Sequence, residues 1–152
     1  MNDANAVTRP LMTVLCVDDE LDIIHAIKRL LRKQNYNLLF ASSGEKALEI
    51  MQQNDVHLII SDMRMPAMSG AELLEKVATS YPNSYRILLS GYADMESTVS
   101  AINKGKTLKY IQKPWDNDEL ISSIEEGLEK VRLEKVRLKN GNIHLQKTIK
   151  KI

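Results

Sequence analysis

Five short apolar runs, separated by segments with helical periodicity, constrain the fold of this chain more than any other feature. The runs are nearly continuous, which is typical of strands that are covered on both faces of a sheet. Between them, apolar residues recur every three or four positions, as on one face of a helix. Strands that alternate with helices predict an open parallel sheet with right-handed crossovers. The predicted strands span residues 12–17, 37–41, 56–60, 85–89 and 108–111.

Cap-forming residues indicate where several of the predicted helices begin. Ser42 and Glu45, and again Ser69 and Glu72, have the spacing of a capping box. Asp116 is suited to cap the last helix. The sequence therefore predicts an α/β domain, in which a doubly wound, five-stranded parallel sheet is followed by an extended C-terminal helix.

Polar side chains follow the carboxyl ends of four of the five predicted strands. Asp18 and Asp19 follow the first strand, Asp62 the third, Ser90 the fourth and Lys113 the fifth. In open parallel sheets, ligands bind at this edge. Three neighbouring carboxylates repel one another, so an ionised cluster needs a compensating cation. Mg²⁺ prefers oxygen ligands, and we expect it at this cluster, with Lys113 as a further positive charge.

A carboxylate in such a site has a definite chemical use. It can attack phosphorus as a nucleophile and form an aspartyl phosphate. A metal ion and an ammonium group neutralise charge on the transferring group. Each feature alone has an ordinary explanation: an Asp-Asp pair is often a solvated turn, a Ser a helix cap and a Lys-Pro pair a turn. Their occurrence together, in this order, favours a functional site.

The polar residues that follow the predicted strands, in this order and spacing, resemble those of the receiver domain of bacterial response regulators. The resemblance covers roughly residues 11–130. The resemblance implies a flavodoxin-like fold of the receiver type. It also implies a cytoplasmic signalling domain that receives a phosphoryl group on Asp62 from a histidine kinase or a phosphotransfer protein. Such a domain catalyses its own phosphorylation and dephosphorylation and is not a conventional enzyme. The residues that carry the resemblance are Asp18, Asp19, Asp62, Ser90, Lys113 and Pro114.

The same resemblance assigns a metal-binding role to several residues. Asp19 and Asp62 would bind Mg²⁺ directly, and Asp18 would act mainly through a bound water. The backbone carbonyl of Arg64 would complete the protein ligands. Pro66 and Gly70 match the turn that follows the acceptor in the family.

The resemblance also predicts a conformational switch. Ser90 would be the switch hydroxyl that bonds the phosphoryl oxygens, and Tyr110 would be the aromatic residue that turns inward as Ser90 moves. Lys113 would contact the phosphoryl group, and its peptide bond to Pro114 would be cis.

The C-terminal segment differs from the rest of the chain in charge. Residues 128–152 have a net charge of +6, whereas the remaining residues have a net charge of −5. Eight of ten positions in a heptad series are apolar, which predicts a parallel coiled coil. The alternative is a single frayed helix, and Gly141 indicates that the helix ends near residue 139. The series comprises Ile121, Ile124, Leu128, Val131, Lys135, Leu138, Asn142, Leu145, Ile149 and Ile152.

These patterns give a domain organisation. We expect a flexible arm over residues 1–10, a receiver domain over 11–130 and a helical linker over 131–152. The heptad series ends without a cap, so we expect a longer regulator with an output domain beyond it. We also expect a homodimer, formed by the C-terminal helix and by the face that the last helix shares with a fourth helix near residues 94–105.

Several classes of protein are disfavoured by composition. No apolar run is long enough to span a membrane, and the single cysteine, Cys16, excludes an internal disulfide framework. The basic tail has no aromatic residue to stack on a base, so direct binding of nucleic acid by this segment is not expected.

Two other functions use a similar fold. A phosphatase of the haloacid dehalogenase type has a second Asp two residues after its nucleophile, and here Arg64 occupies that position. An interaction module that is never phosphorylated would not need the acidic set, so the complete set argues against it.

Overall fold

The computed structural model describes residues 11–91 and 108–150, with side chains described as far as residue 141. The predicted arm over 1–10, the predicted helix near 94–105 and Ile152 lie outside the described residues. The strands are β1 (Met12–Val17), β2 (Tyr36–Ala41), β3 (Leu58–Asp62), β4 (Tyr85–Ser90) and β5 (Lys109–Gln112). The helices are α1 (Leu21–Leu31), α2 (Gly44–Gln53), α3 (Gly70–Ser80) and α4 (Asn117–Lys150).

The strands form one parallel sheet in the order β2-β1-β3-β4-β5, which confirms the predicted fold class. β3 lies at the centre, and all five of its residues are buried. Its register pairs Ser61 with Val17 of β1 and Asp62 with Leu89 of β4. The carboxyl ends of these three strands therefore lie at the same level of one edge.

Alternation along the strands divides the core into two layers. In β3, Leu58 and Ile60 point into the layer with α1 and α4, whereas Ile59 points into the layer with α2 and α3. Because each strand residue in the centre contacts one helical layer, both faces of the sheet are covered, as the continuous apolar runs predict. Helix residues in the two layers include Ile27, Leu31, Ile124 and Leu128 on one side and Met51, Leu73, Leu74 and Val77 on the other.

The start of α2 differs from the predicted capping box. The N-cap is Ser43 rather than Ser42, because Gly44 is the first helical residue and Ser43 still has extended backbone angles. The Ser43 hydroxyl accepts a hydrogen bond from the Lys46 N–H at 3.2 Å. Ser42 instead contacts the Lys46 ammonium group at 3.2 Å. Two adjacent serines made the cap ambiguous by one position.

The caps of α3 and α4 are confirmed. Ser69 accepts a hydrogen bond from the Glu72 N–H at 3.2 Å. Asp116 accepts one from the Asp118 N–H at 2.8 Å. Each cap satisfies a donor that the first turn of a helix leaves without an intrahelical partner.

Helix α4 is longer than the sequence predicted. It continues through Gly141 to Lys150, so the expected end near residue 139 was wrong. One glycine in a helix interior costs about 1 kcal/mol relative to alanine, which is too little to end a helix of this length. Its first half packs on the sheet through Ile124, Leu128 and Val131, all of which are buried. Within the described part of the chain, no helix is long and apolar enough to cross a membrane.

Gly127 allows α4 to approach the sheet closely. A Cβ atom at this position would lie 2.5 Å from a ring carbon of Tyr85 and 2.9 Å from a methyl carbon of Leu58. Both contacts are shorter than van der Waals distance, so a larger residue would displace the helix from the sheet.

The loop between β3 and α3 contains a residue that generates a stability prediction. Ala67 has a backbone φ of 69°, in the left-handed region that favours glycine. We expect Ala67→Gly to raise the free energy of unfolding by about 1 kcal/mol, because the relieved strain exceeds the added entropy of the unfolded chain. Urea denaturation measures the change. The matched control is Ala78→Gly inside α3, which should lower stability by about 1 kcal/mol. Equal destabilisation by both substitutions would show that Ala67 is not strained.

Candidate functional site

The carboxyl edge of the sheet brings the predicted acidic residues and lysine together. The Lys113 Nζ lies 2.5 Å from Asp62 Oδ1 and 3.5 Å from Asp18 Oδ2. Asp18 and Asp62 are only 2% and 6% exposed, whereas Asp19 is exposed. The site therefore combines two buried carboxylates, both paired with the partly buried Lys113, and one carboxylate that faces solvent.

Backbone hydrogen bonds fix the loops that carry these side chains. The Asp18 carboxylate accepts a hydrogen bond from the Glu20 N–H at 2.9 Å, which holds the turn between β1 and α1. The Lys113 N–H donates to the Ser90 carbonyl at 2.8 Å, which continues the β4–β5 ladder beyond the end of β5. Lys113 is thus anchored beside β4 while its side chain reaches Asp62.

Burial and charge act in opposite directions on the ionisable groups. Burial raises the pKa of the Asp18 carboxyl above its usual value; the Glu20 N–H and Lys113 oppose this shift, and the charge of Asp62 adds to it. Burial alone would lower the pKa of Lys113, but its hydrogen bond to Asp62 and the charges of Asp62 and Asp18 together raise it. Lys113 is accordingly held in its charged form.

The three carboxylates fit a divalent cation. One oxygen each from Asp18, Asp19 and Asp62 can be chosen so that all three lie within 4.8 Å of one another. Lys113 pairs with two of these carboxylates and contributes one positive charge to the cluster. An all-oxygen donor set with one solvent-facing member suits Mg²⁺, which keeps several waters.

Arg64 lies two residues beyond Asp62, in the loop between β3 and α3, and its side chain is exposed. The predicted role of its carbonyl as a metal ligand stays a prediction.

Ser90 lies at the end of β4, next to β3, and Tyr110 lies on β5, which pairs with the other side of β4. Ser90 is fully buried at the end of β4, and its hydroxyl contacts the Gly91 carbonyl at 3.4 Å. The Tyr110 hydroxyl is also buried and has no hydrogen-bond partner among the described residues. The peptide bond between Lys113 and Pro114 is cis, as predicted. The switch roles of Ser90 and Tyr110 stay predictions.

Gly70 also makes a close contact with the backbone of β3 that was not predicted from the sequence. Its N–H donates to the Met63 carbonyl at 2.8 Å. A Cβ atom at this position would collide with the Asp62 carbonyl oxygen and lie 3.0 Å from the Met63 Cα. The first turn of α3 therefore packs directly against the backbone that carries Asp62, and only glycine permits this contact. A glycine next to a cap residue indicates a turn, but a sequence alone does not reveal what the turn packs against.

Comparison with known proteins decides the family. The family model of the response regulator receiver domain matches residues 14–125, which is most of the chain. The chain belongs to the response regulator receiver family. Its fold also matches the signal receiver domain of an HD domain-containing protein from Pseudomonas fluorescens, with a TM-score of 0.82, 34% identity, and coverage of 87% of this chain and 97% of that one.

Curated relatives of this receiver are longer proteins. The hydrogenase transcriptional regulatory protein HoxA of Bradyrhizobium diazoefficiens is 32% identical over 143 residues, which cover 90% of this chain and 29% of HoxA. The transcriptional regulatory protein ZraR of Escherichia coli is 31% identical over 122 residues, which cover 80% of this chain and 27% of ZraR. The chain thus spans less than a third of the length of these relatives.

The acidic cluster generates a metal-binding prediction. We expect Mg²⁺ to raise the melting temperature of the chain, because a ligand that binds only the folded state stabilises it by about 1.4 kcal/mol at ten times its Kd. Asp19→Asn should abolish most of this shift. The matched control is Asp22→Asn, which changes an exposed carboxylate in the first turn of α1. A thermal scan with and without Mg²⁺ checks this, and an equal shift in Asp19→Asn would rule out a metal at this cluster.

Proposed function

We propose that this receiver accepts a phosphoryl group on Asp62 from a histidine kinase or a phosphotransfer protein in the cytoplasm. One observation carries the proposal: Asp62 is buried at the end of the central strand and paired with Lys113 at 2.5 Å, beside Asp18 and Asp19. A nucleophilic carboxylate needs this combination of a fixed position and neighbouring positive charge.

The chemical step follows from the contacts of Asp62. One carboxylate oxygen attacks the phosphorus of a phosphohistidine, the P–N bond breaks, and its electron pair returns to the imidazole of the donor. Lys113 exchanges its contact with Asp62 for one with a phosphoryl oxygen, so the ammonium group follows the negative charge. The Ser90 hydroxyl donates a hydrogen bond to another phosphoryl oxygen.

Mg²⁺ would be held by Asp19 and Asp62 directly, by Asp18 through water, and by the carbonyl of Arg64. When bound, the ion would neutralise part of the charge on the phosphoryl group. The donor set of the acidic cluster supports this assignment.

The receiver would itself catalyse both the formation and the hydrolysis of the aspartyl phosphate. The carboxylate, ammonium and hydroxyl groups that we assign to the two steps belong to this one chain, so the chain would act as a signalling domain that controls its own phosphorylation state. Movement of Ser90 towards the phosphoryl group would leave space that Tyr110 fills, which would change the surface near β4 and β5. The buried Tyr110 hydroxyl, which has no hydrogen-bond partner among the described residues, supports a ring that can move.

We also propose that residues 11–130 form the receiver and that residues 131–152 form a linker to an output domain. Val131 is buried with the core, so the boundary would lie at the point where α4 leaves the sheet. HoxA and ZraR carry the names of transcriptional regulators and are far longer than this chain, which supports an attached output domain.

A homodimer through α4 forms part of this proposal. The buried stripe of α4 includes Ile124, Leu128 and Val131, and the next apolar position on the same side is Leu138, which is 46% exposed. A second copy would cover this apolar face beyond the end of the sheet, as in a parallel coiled coil. The predicted contribution of a helix near residues 94–105 lies outside the described residues. An unpaired helix is the alternative that the second test below distinguishes.

The first test changes the acceptor. Asp62→Asn should abolish labelling by a radioactive acyl phosphate or by a phosphorylated kinase, because the amide is a very poor nucleophile towards phosphorus. Circular dichroism should show an unchanged fold. The matched control, Asp22→Asn, should be labelled at the wild-type rate. Undiminished alkali-labile label on Asp62→Asn would refute the assignment.

The second test concerns the dimer. Leu138→Lys should weaken self-association by at least about tenfold, because it places a charge in the proposed apolar seam. Leu133→Lys is the matched control: Leu133 is 53% exposed and lies roughly 140° round the helix from Leu138. Sedimentation equilibrium of residues 1–152, with and without phosphorylation, measures the association. Monomers under all conditions would contradict the coiled coil, and equal weakening by both variants would contradict the seam.

A further inference from the structure

His57 lies at the amino edge of the sheet, opposite the acidic cluster, and is fixed to β1 at two points. Its backbone N–H donates to the Thr13 carbonyl at 3.0 Å. Its ring nitrogen Nδ1 accepts a hydrogen bond from the Thr13 N–H at 3.0 Å. Because Nδ1 is an acceptor, the neutral imidazole carries its proton on Nε2. The side chain is only 13% exposed, so its hydrogen bonds are largely shielded from water.

The other ring nitrogen of His57 faces α4. Lys135 of α4 places its Nζ 3.3 Å from His57 Nε2. An Asp55 carboxylate oxygen lies 3.6 Å from the Lys135 Nζ and 3.6 Å from His57 Nε2. One carboxylate oxygen is therefore close to two donors, the ammonium group of Lys135 and the Nε2–H of the neutral ring.

The segment of α4 around Lys135 has few apolar contacts with the receiver. Among the side chains of α4 described up to residue 141, Val131 is the last one in the buried core, and Leu133, Val136 and Leu138 are exposed. A cavity of about 600 Å³ lies between this part of α4 and the starts of β1 and β2, and Val136 and Lys135 are among the residues that line it. The polar contacts of Lys135 with Asp55 and His57 join this loosely packed segment to the receiver.

We infer that His57 is a proton-controlled latch for α4: the neutral ring allows Lys135 to dock beside Asp55, and protonation of the ring releases the helix segment beyond Val131. The latch is independent of the proposed phosphorylation of Asp62, since its residues lie at the opposite edge of the sheet. It would connect the position of the C-terminal helix to pH.

Protonation changes the latch in two ways. A protonated Nδ1 can no longer accept the hydrogen bond from Thr13, so a nearly buried N–H loses its partner. The imidazolium also places a second positive charge next to Lys135, and the exposed Asp55 carboxylate lies 3.6 Å from both. The exposed Lys135–Asp55 pair contributes little stability, so we expect even a modest repulsion from the imidazolium to favour release of the segment.

The direction of the pH dependence follows from the same contacts. Burial, with a further contribution from Lys135, lowers the pKa of His57 below its usual value of 6.5, although Asp55 opposes the shift. The docked state therefore binds the proton more weakly than a freely exposed imidazole does. Because Lys135 lowers this pKa only while it is docked, docking is at full strength above the pKa of His57 in the undocked state and weakens as the pH falls below it. The other ionisable groups that line the cavities beside His57 are Tyr36, Tyr81, Glu125, Glu129 and Arg132.

Nuclear magnetic resonance of the full chain between pH 7.5 and 5.0 tests the latch. We expect the His57 ring to titrate with a midpoint below 6.5. With the same midpoint, backbone order parameters for residues 135–139 should fall from about 0.85 to below about 0.6. Lys135→Gln should raise the His57 midpoint and leave the segment mobile at every pH. Because Lys135 is exposed, this variant should fold normally.

A second pair of variants tests whether the His57 imidazole is the group that causes the pH response. His57→Asn retains an acceptor near the position of Nδ1 but cannot be protonated, so the segment should stay docked to pH 5.0. His25→Asn, at an exposed position on α1, is the matched control and should keep the wild-type pH response.

If the segment keeps constant order while the wild-type His57 titrates, the latch does not exist. If His57→Asn folds and its segment is released on acidification as in the wild type, another group is responsible and the inference is overturned. If His57→Asn does not fold, the wild-type and Lys135→Gln titrations decide.

Discussion

Burial of β3 between β1 and β4 is the constraint on which the rest of this structure depends. All five residues of β3 are buried, and Asp62 is the last of them. Because side chains alternate along a strand, a slip of one residue would turn Ile59 and Ile60 to the wrong layers and Asp62 away from Lys113. The apolar residues that stabilise the fold thus also set the position of the nucleophile, and the parallel register places the ends of β1 and β4 beside it.

The acidic cluster that this register brings together lowers the stability of the fold. Asp18 and Asp62 are nearly buried carboxylates with a shared partner, Lys113. A buried ion pair adds little net stability, and a second carboxylate beside it adds repulsion. A core made only for stability would not contain this cluster. Membership of the receiver family, together with the chemistry of the cluster, explains why these charges lie in a largely buried position. Gly70 belongs to the same arrangement, because its missing side chain lets α3 begin against the backbone of Asp62.

Much of this could be predicted from the sequence, because strand ends in a parallel sheet converge whatever the details of packing. Asp18, Asp62 and Lys113 lie together for that reason. Other features depended on information that one sequence does not contain. Ser42 and Ser43 are both suitable N-cap residues. Ser43 is the cap in the structure, because it is the last residue with extended backbone angles before the helix begins at Gly44. The heptad pattern marked Lys135 as a polar position in a coiled coil, but a heptad does not identify the partner, and the structure places Lys135 beside Asp55 and His57 of its own receiver.

The central claim is that the carboxylate of Asp62, positioned by β3 and paired with Lys113, accepts the phosphoryl group. The most direct measurement is to phosphorylate the wild-type chain in the presence of Mg²⁺, reduce the acyl phosphate with borohydride and locate the product by peptide mass spectrometry. The account predicts that the aspartate at position 62 is converted to homoserine and that Asp18 and Asp19 are unchanged. Conversion at Asp18 or Asp19, a stable phosphate on Ser90, or no conversion at all would contradict it.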